Sequence, residues 1–187
     1  MSTASSPDRR LTYADFLQFP DDGLRHELID GVHYVTPSPV PRHQVLVGRV
    51  YFALELYLRA HPGSGQVFLA PLDVVLSNWD VVEPDLLLIA ANQPDILTAK
   101  NVQGPPALVI EVLSPGTRSR DRQLKRNLFE RTGVREYWLV DFDADTVTVY
   151  RRSTSDGFEQ PQVLAGNEIL ETALLPDFGL SLRELFA

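Results

Sequence analysis

Ala107-Leu108-Val109-Ile110-Glu111-Val112-Leu113 is apolar at every position except one. A strand with one wet face would alternate polar and apolar residues. The missing alternation predicts a central strand, covered on both sides. Ser114-Pro115-Gly116 turns the chain straight after it. Residues 119–132 then read as a helix whose apolar side is Leu124, Leu128 and Phe129, stopped by Gly133. Tyr137–Phe142 and Thr146–Arg151 come next as a hairpin across Asp143-Ala144-Asp145. A buried strand followed by a helix and further strands sets a mixed α/β class.

The flanks fill in the class. Asp30-Gly31 between Arg25–Ile29 and Val32–Thr36 is a two-residue hairpin signal. Before it, Thr12 can cap a short helix running through Gln18, with Asp15 in the reciprocal capping role. After it, His43–Ala60 carries Val47, Val50, Tyr51, Leu54 and Leu58 at helical spacing, and His61-Pro62-Gly63 ends the run. Gln66–Leu76 and Val81–Ile89 read as two strands joined by residues 77–80. Residues 92–106 read as polar loop or irregular helix. Downstream come a strand at Gln162–Leu164, an apolar run at Leu170–Leu175 and a last helix at Ser181–Phe186. The expected fold is α/β of the α+β kind. It has a central mixed sheet flanked by helices and an N-terminal β-hairpin. Residues 1–10 read as a disordered tail, and 11–187 as one domain.

Composition narrows the chemistry. The 187 residues include no Cys, which removes disulfide frameworks, thiolate zinc sites and cysteine nucleophiles together. The four His show no H-E-x-x-H pair. No apolar run reaches the ~20 residues of a membrane helix, and the N-terminus has no signal-peptide core, so a cytoplasmic protein with no membrane partner is expected. The net charge of −8 argues against coating nucleic acid by bulk electrostatics. The charge is uneven, however. Residues 117–135 hold seven basic residues against Asp121 and Glu130, a net +5, which leaves −13 for the rest. Fifteen of the 17 basic residues are Arg; Lys100 and Lys125 are the two Lys.

Carboxylates sit inside strands that otherwise read as buried. Glu111 interrupts the central strand, and a carboxylate there must be protonated, paired or metal-bound. Asp85 precedes the apolar run Leu86-Leu87-Leu88-Ile89, and Asp73 lies in a similar setting. A hairpin turn centred on Trp79 would make Asp73 and Asp85 cross-strand partners. Taken singly, Asp85 reads as a strand cap and Asp73 as an edge residue; Glu111 is harder to explain so. Two or three carboxylates converging at one end of a sheet would hold a hard cation such as Mg²⁺ or Mn²⁺. On the following helix, Arg118, Arg122, Lys125 and Phe129 share one stripe. Lys125 is read two ways: as a charge that polarises a water or steadies a phosphate, or as a surface pair with Asp121.

The ordered set of motifs resembles the Uma2-like family (DUF820), within the PD-(D/E)xK nuclease superfamily of restriction-endonuclease-like fold. The motifs are His26-Glu27-Leu28-Ile29-Asp30-Gly31, His43, and Glu83-Pro84-Asp85. They continue with Val109-Ile110-Glu111-Val112-Leu113-Ser114-Pro115, Asp121 with Lys125, and Gly133-Val134-Arg135-Glu136-Tyr137-Trp138-Leu139-Val140-Asp141. The resemblance runs from about Leu11 to the C-terminus.

The resemblance implies a restriction-endonuclease-like core and a Mg²⁺ (or Mn²⁺) site ligated by Asp85, Glu111 and the backbone carbonyl of Val112. The superfamily lysine belongs at position 113, where this chain has Leu113. Lys125 takes its place from the next helix. Glu27 and His43 match family positions lining the same pocket, and Arg118 and Arg122 belong to the segment that would hold flanking phosphates. The implied activity is endonucleolytic hydrolysis of phosphodiester bonds in nucleic acid, with DNA the expected substrate and RNA left open, by a metal-activated water. Double-strand cutting would call for a homodimer, with Tyr137-Trp138 or the hairpins as interface. A catalytically inactive nuclease-fold protein that binds nucleic acid or protein is the alternative, and a metal-dependent enzyme on another phosphorylated substrate is a third reading.

Overall fold

A computed structural model describes residues 10–36, 38–153 and 157–187. Apart from Arg10, the tail expected at residues 1–10 lies outside the described residues. The chain opens with a short helix, α1 (Tyr13–Phe16), held by a complete capping box between Thr12 and Asp15. Then come β1 (Arg25–Ile29) and β2 (Val32–Thr36). Asp30 and Gly31 both take positive φ, 55° and 77°, as a two-residue hairpin loop requires. Helix α2 (Pro41–Ala60) starts with a proline in its first turn, where the missing N–H has no intrahelical partner to lose.

Four strands come after it: β3 (Gly65–Leu69), β4 (Val74–Ser77), β5 (Asp80–Val82) and β6 (Leu86–Ala90). A 3₁₀ turn at Pro94–Ile96 and the short β7 (Val102–Gln103) occupy the expected polar loop. Next are β8 (Leu108–Val112), a π-helical segment (Arg120–Lys125) and α3 (Arg126–Thr132). The chain closes with β9 (Glu136–Asp141), β10 (Thr146–Arg151), β11 (Gln162–Ala165), β12 (Ile169–Glu171), β13 (Gly179–Ser181) and α4 (Leu182–Phe186).

The strands form a six-stranded sheet, β11-β10-β9-β8-β6-β3, a five-stranded sheet, β2-β1-β5-β4-β7, and the pair β12-β13. The larger sheet is mixed. β8 lies inside it, parallel to β9 and antiparallel to β6, as its apolar sequence predicts. Alternate residues of β8 therefore serve two cores. Leu108, Ile110 and Val112 face α2 with Leu46, Val50 and Leu54. Val109 and Leu113 face the other way, with Leu128 and Phe129 of α3 and with Ile29, Val74 and Val82 of the smaller sheet. Each fully buried aliphatic side chain contributes about 1.5–3 kcal/mol relative to exposure.

Three sequence expectations change. The runs 66–76 and 81–89 do not form one long hairpin. Each breaks at a proline, Pro71 and Pro84, and supplies one strand to each sheet. Proline has no N–H to give a ladder, so both runs turn the corner there. The observed register, Val74↔Val82 and Val75↔Val81, removes the expected Asp73–Asp85 pairing; continued by one residue, it brings Asp73 toward Glu83. The helix after β8 is also irregular, and Leu124, expected on its apolar side, is 41% exposed. A π turn holds more residues than an α turn and so rotates the residues beyond it about the helix axis. Tyr137 and Trp138 are fully buried in the central sheet, so the pair cannot serve as the expected dimer interface.

Candidate active site

Five pieces of chain meet at the corner where the two sheets part. β1 brings Arg25 and Glu27, two residues apart and so on one face. The bend between β5 and β6 brings Glu83 and Asp85. β8 brings Glu111, the π segment brings Arg120, Asp121 and Lys125, and the first turn of α2 brings His43. They surround a cavity of about 150 Å³ lined by Asp85, Glu111, Val112, Asp121 and Lys125. Arg25, His43, Glu83 and Asp85 also line a wider adjoining groove of about 530 Å³.

Asp85 is held on all sides. Arg25 Nη1 donates to Oδ1 at 2.8 Å. Oδ2 accepts the Val112 N–H at 2.9 Å and lies 3.0 Å from His43 Nε2. Burial works to raise this carboxyl, but His43 and Arg25 outweigh it and hold the pKa well below the usual carboxylate range. His43 is buried and not at the surface, as its helix-terminal position would suggest, and its Nδ1 has no hydrogen-bond partner.

Lys125 is the hub of the second half. Its Nζ donates to Glu111 Oε1 at 2.6 Å and lies 2.7 Å from Glu27 Oε1 and 3.8 Å from Asp121 Oδ1. All four side chains are buried, so the Asp121–Lys125 pair is not the surface contact of the alternative reading. Burial opposes the Lys125 charge, yet Glu111, Glu27 and Asp121 overcome it and hold the pKa above the ordinary lysine value. Three carboxylates share this one ammonium. Burial pushes Glu111 well up, Lys125 offsets only part, and the charges of Asp85, Asp121 and Glu27 add to the rise. Glu83, at the mouth, is raised to about 7 by burial and then by Asp73 and Glu27.

The π turn explains how Lys125 reaches Glu111. Position 113 points into the core with Leu128 and Phe129, so an ammonium has to arrive from the layer above the strand. The widened turn carries Asp121 and Lys125 inward, and the Tyr137 hydroxyl donates to the Asp121 carbonyl at 3.1 Å. π segments recur at functional sites for this kind of re-aiming.

The structure thus brings Asp85, Glu111, Lys125, Glu27 and His43 into one cluster, with Val112 beside them. Arg118 and Arg122 lie elsewhere. Both bond the buried Asp141, Arg118 through Nη1 at 2.5 Å and Arg122 through Nη2 at 2.8 Å. Arg126 pairs with Glu130, and Arg131 holds Asp80 with two hydrogen bonds at 2.6 and 3.0 Å. Much of the +5 of residues 117–135 is therefore neutralised within the fold. The cation at the cavity that sequence reasoning missed is Arg25; Arg120 reaches the cavity from the basic segment expected to hold phosphates. The available signal was period-two spacing: Arg25 and Glu27 share a face of β1 with the buried Ile29.

The donors suit a hard cation. Asp85 and Glu111 offer carboxylate oxygens, and Mg²⁺ commonly takes only one or two of these beside waters and substrate phosphate. The cluster formally holds five carboxylates, Glu27, Glu83, Asp85, Glu111 and Asp121, against Arg25, Arg120 and Lys125. Two buried carboxylate oxygens, on Glu27 and Glu83, lack a hydrogen-bond partner. A divalent ion fits this excess. Among the described residues, no three His, Asp or Glu side chains are spaced to hold an ion by themselves. No helix of the described residues is long and apolar enough to cross a membrane.

Comparison with known proteins agrees with this architecture. The Uma2 family model, described as "Putative restriction endonuclease", matches residues 13–183. A crystal structure titled as that of "a putative nuclease belonging to DUF820" from Anabaena variabilis superposes with a TM-score of 0.80 at 20% identity. The match covers 94% of this chain and 97% of the other. No curated protein matches.

Proposed function

The chain belongs to the Uma2 family, and from that membership we propose that it is an endonuclease hydrolysing phosphodiester bonds in nucleic acid, with DNA as substrate and Mg²⁺ or Mn²⁺ as cofactor. The observation that carries the reading is the meeting of Asp85, Glu111 and Lys125 at one cavity from three separate elements. Asp85 and Glu111 would hold the cation, with the Val112 carbonyl beside them. The bound cation would supply a water of lowered pKa and neutralise charge on the phosphate.

The protein's own groups do the rest. Lys125 keeps its proton, so it serves as a fixed positive donor and not as a base. Glu27 and Asp121 fix its position. Arg120, whose Nη2 donates to Thr36 Oγ1 at 2.7 Å, puts a second guanidinium on the cavity wall to meet phosphate. Arg118 and Arg122 could contact flanking phosphates by exchanging Asp141 for them.

Supercoiled plasmid incubated with the protein and Mg²⁺ or Mn²⁺ is expected to be nicked or linearised, and Glu111→Ala is expected to abolish this. Plasmid and single-stranded RNA both left intact, or cleavage surviving Glu111→Ala, would end the proposal. One observation favours the second reading, a nuclease fold kept as a binding module: both Asp85 oxygens are already engaged by protein groups. Calorimetry with Mn²⁺ on wild type and Asp85→Ala separates the two, because a binding module needs no divalent site.

A further inference from the structure

We propose that Arg25 is the internal counter-ion of Asp85, and that a divalent cation loads the site by displacing it. The inference rests on the proposed metal site and concerns how that site fills. Asp85 has three partners, and they differ in freedom. The Val112 N–H is part of the sheet backbone. His43 is anchored on α2, with its side chain 5% exposed. Arg25 begins β1, its side chain is 21% exposed, and it lines both the cavity and the wider groove. It is the partner with room to leave.

A place to go is already built. Glu83 lines the same two spaces, its Oε2 is buried without a hydrogen-bond partner, and it lies within electrostatic reach of Arg25. A guanidinium and a divalent ion repel, so they do not share one carboxylate oxygen. The protein therefore holds Asp85 ionised and oriented before the cation arrives, with Arg25 keeping its place. The affinity of the site is set by this exchange as well as by the ligands.

The test is calorimetric titration with Mn²⁺ alone on wild type, Arg25→Lys and Arg25→Gln, with thermal melts to confirm folding. Arg25→Gln removes the competitor and is expected to bind Mn²⁺ about tenfold more tightly or better. Arg25→Lys keeps the charge and is expected to stay near wild type. Equal or weaker binding by Arg25→Gln overturns the proposal. If that variant does not fold, the guanidinium resonance of Arg25 in the wild type answers instead. It should lose its ion-paired signature as Mg²⁺ is added, and a resonance that does not change overturns the exchange. The two levels fail differently. If wild type and variants all bind no Mn²⁺, the functional reading falls and takes this inference with it. If wild type and Arg25→Gln bind alike while Glu111→Gln binds nothing, only the exchange falls.

Discussion

The two helical segments that cover the central sheet are built on opposite plans. α2 is one regular helix of 20 residues. Its buried positions, Leu46, Val47, Val50, Leu54 and Leu58, keep to the 3.6-residue period, and they meet an apolar sheet face. The segment from Arg120 to Thr132 starts as a π helix, buries Asp121 and Lys125 and exposes Leu124. Regular geometry serves packing. The irregular segment gives up an apolar contact and delivers charge to Glu111. One strand, β8, feeds both plans through alternate residues.

The largest expected effect tests the irregular side. Lys125→Met leaves three carboxylates buried without their cation, and chemical denaturation should show a loss of about 3–5 kcal/mol. The double variant Glu111→Gln/Lys125→Met should recover part of it. A loss under about 1 kcal/mol would mean that the cluster is not held by Lys125. Next comes the regular side: Leu54→Ala should cost about 2–5 kcal/mol by opening a cavity, with cleavage per folded molecule unchanged. Reduced turnover in fully folded Leu54→Ala would show that α2 does more than pack.

Tyr137→Phe should cost about 1 kcal/mol, because the Asp121 carbonyl loses its donor; the same variant should lower cleavage if the π turn depends on that bond. A smaller effect varies with pH. Asp80 is buried, which works to raise its pKa, but Arg131, Ser77 and the Asp30 N–H hold it below the ordinary value. A depressed carboxyl stabilises above its unfolded pKa and loses that contribution as pH falls through the folded one. Wild type should therefore weaken below about pH 4 more steeply than Asp80→Asn; parallel profiles would remove the Arg131–Asp80 tether of α3 from the account. The smallest effect is the most diagnostic of geometry. Leu124→Gln should change stability by no more than about 0.5 kcal/mol, whereas a regular helix with Leu124 inside predicts several times that.

The sequence is most legible where the physics is local. The β1–β2 hairpin is read to the residue, because Asp30-Gly31 carries its own backbone preference. The β8 strand and α2 are read from pattern, and Asp85, Glu111, Lys125, Glu27 and His43 are all named before their convergence is seen. The division of residues 66–89 between two sheets is missed although Pro71 and Pro84 mark it, since a continuous apolar run hides a corner. Arg25 is missed because its partner, Asp85, is 60 residues away. The π turn leaves no mark in the spacing of Leu124, Leu128 and Phe129, and only the demand of Glu111 for a cation makes sense of it.

Lys125 touches Glu27 of one sheet and Glu111 of the other. Neither sheet holds a complete cluster, so the proposed chemistry exists only after the two have docked. During synthesis β1 emerges first, and Glu27 waits through nearly half of the chain for its counterpart. A nascent or half-denatured molecule therefore carries the parts of the proposed site without the assembled centre. The act of closing the fold is also what arms it.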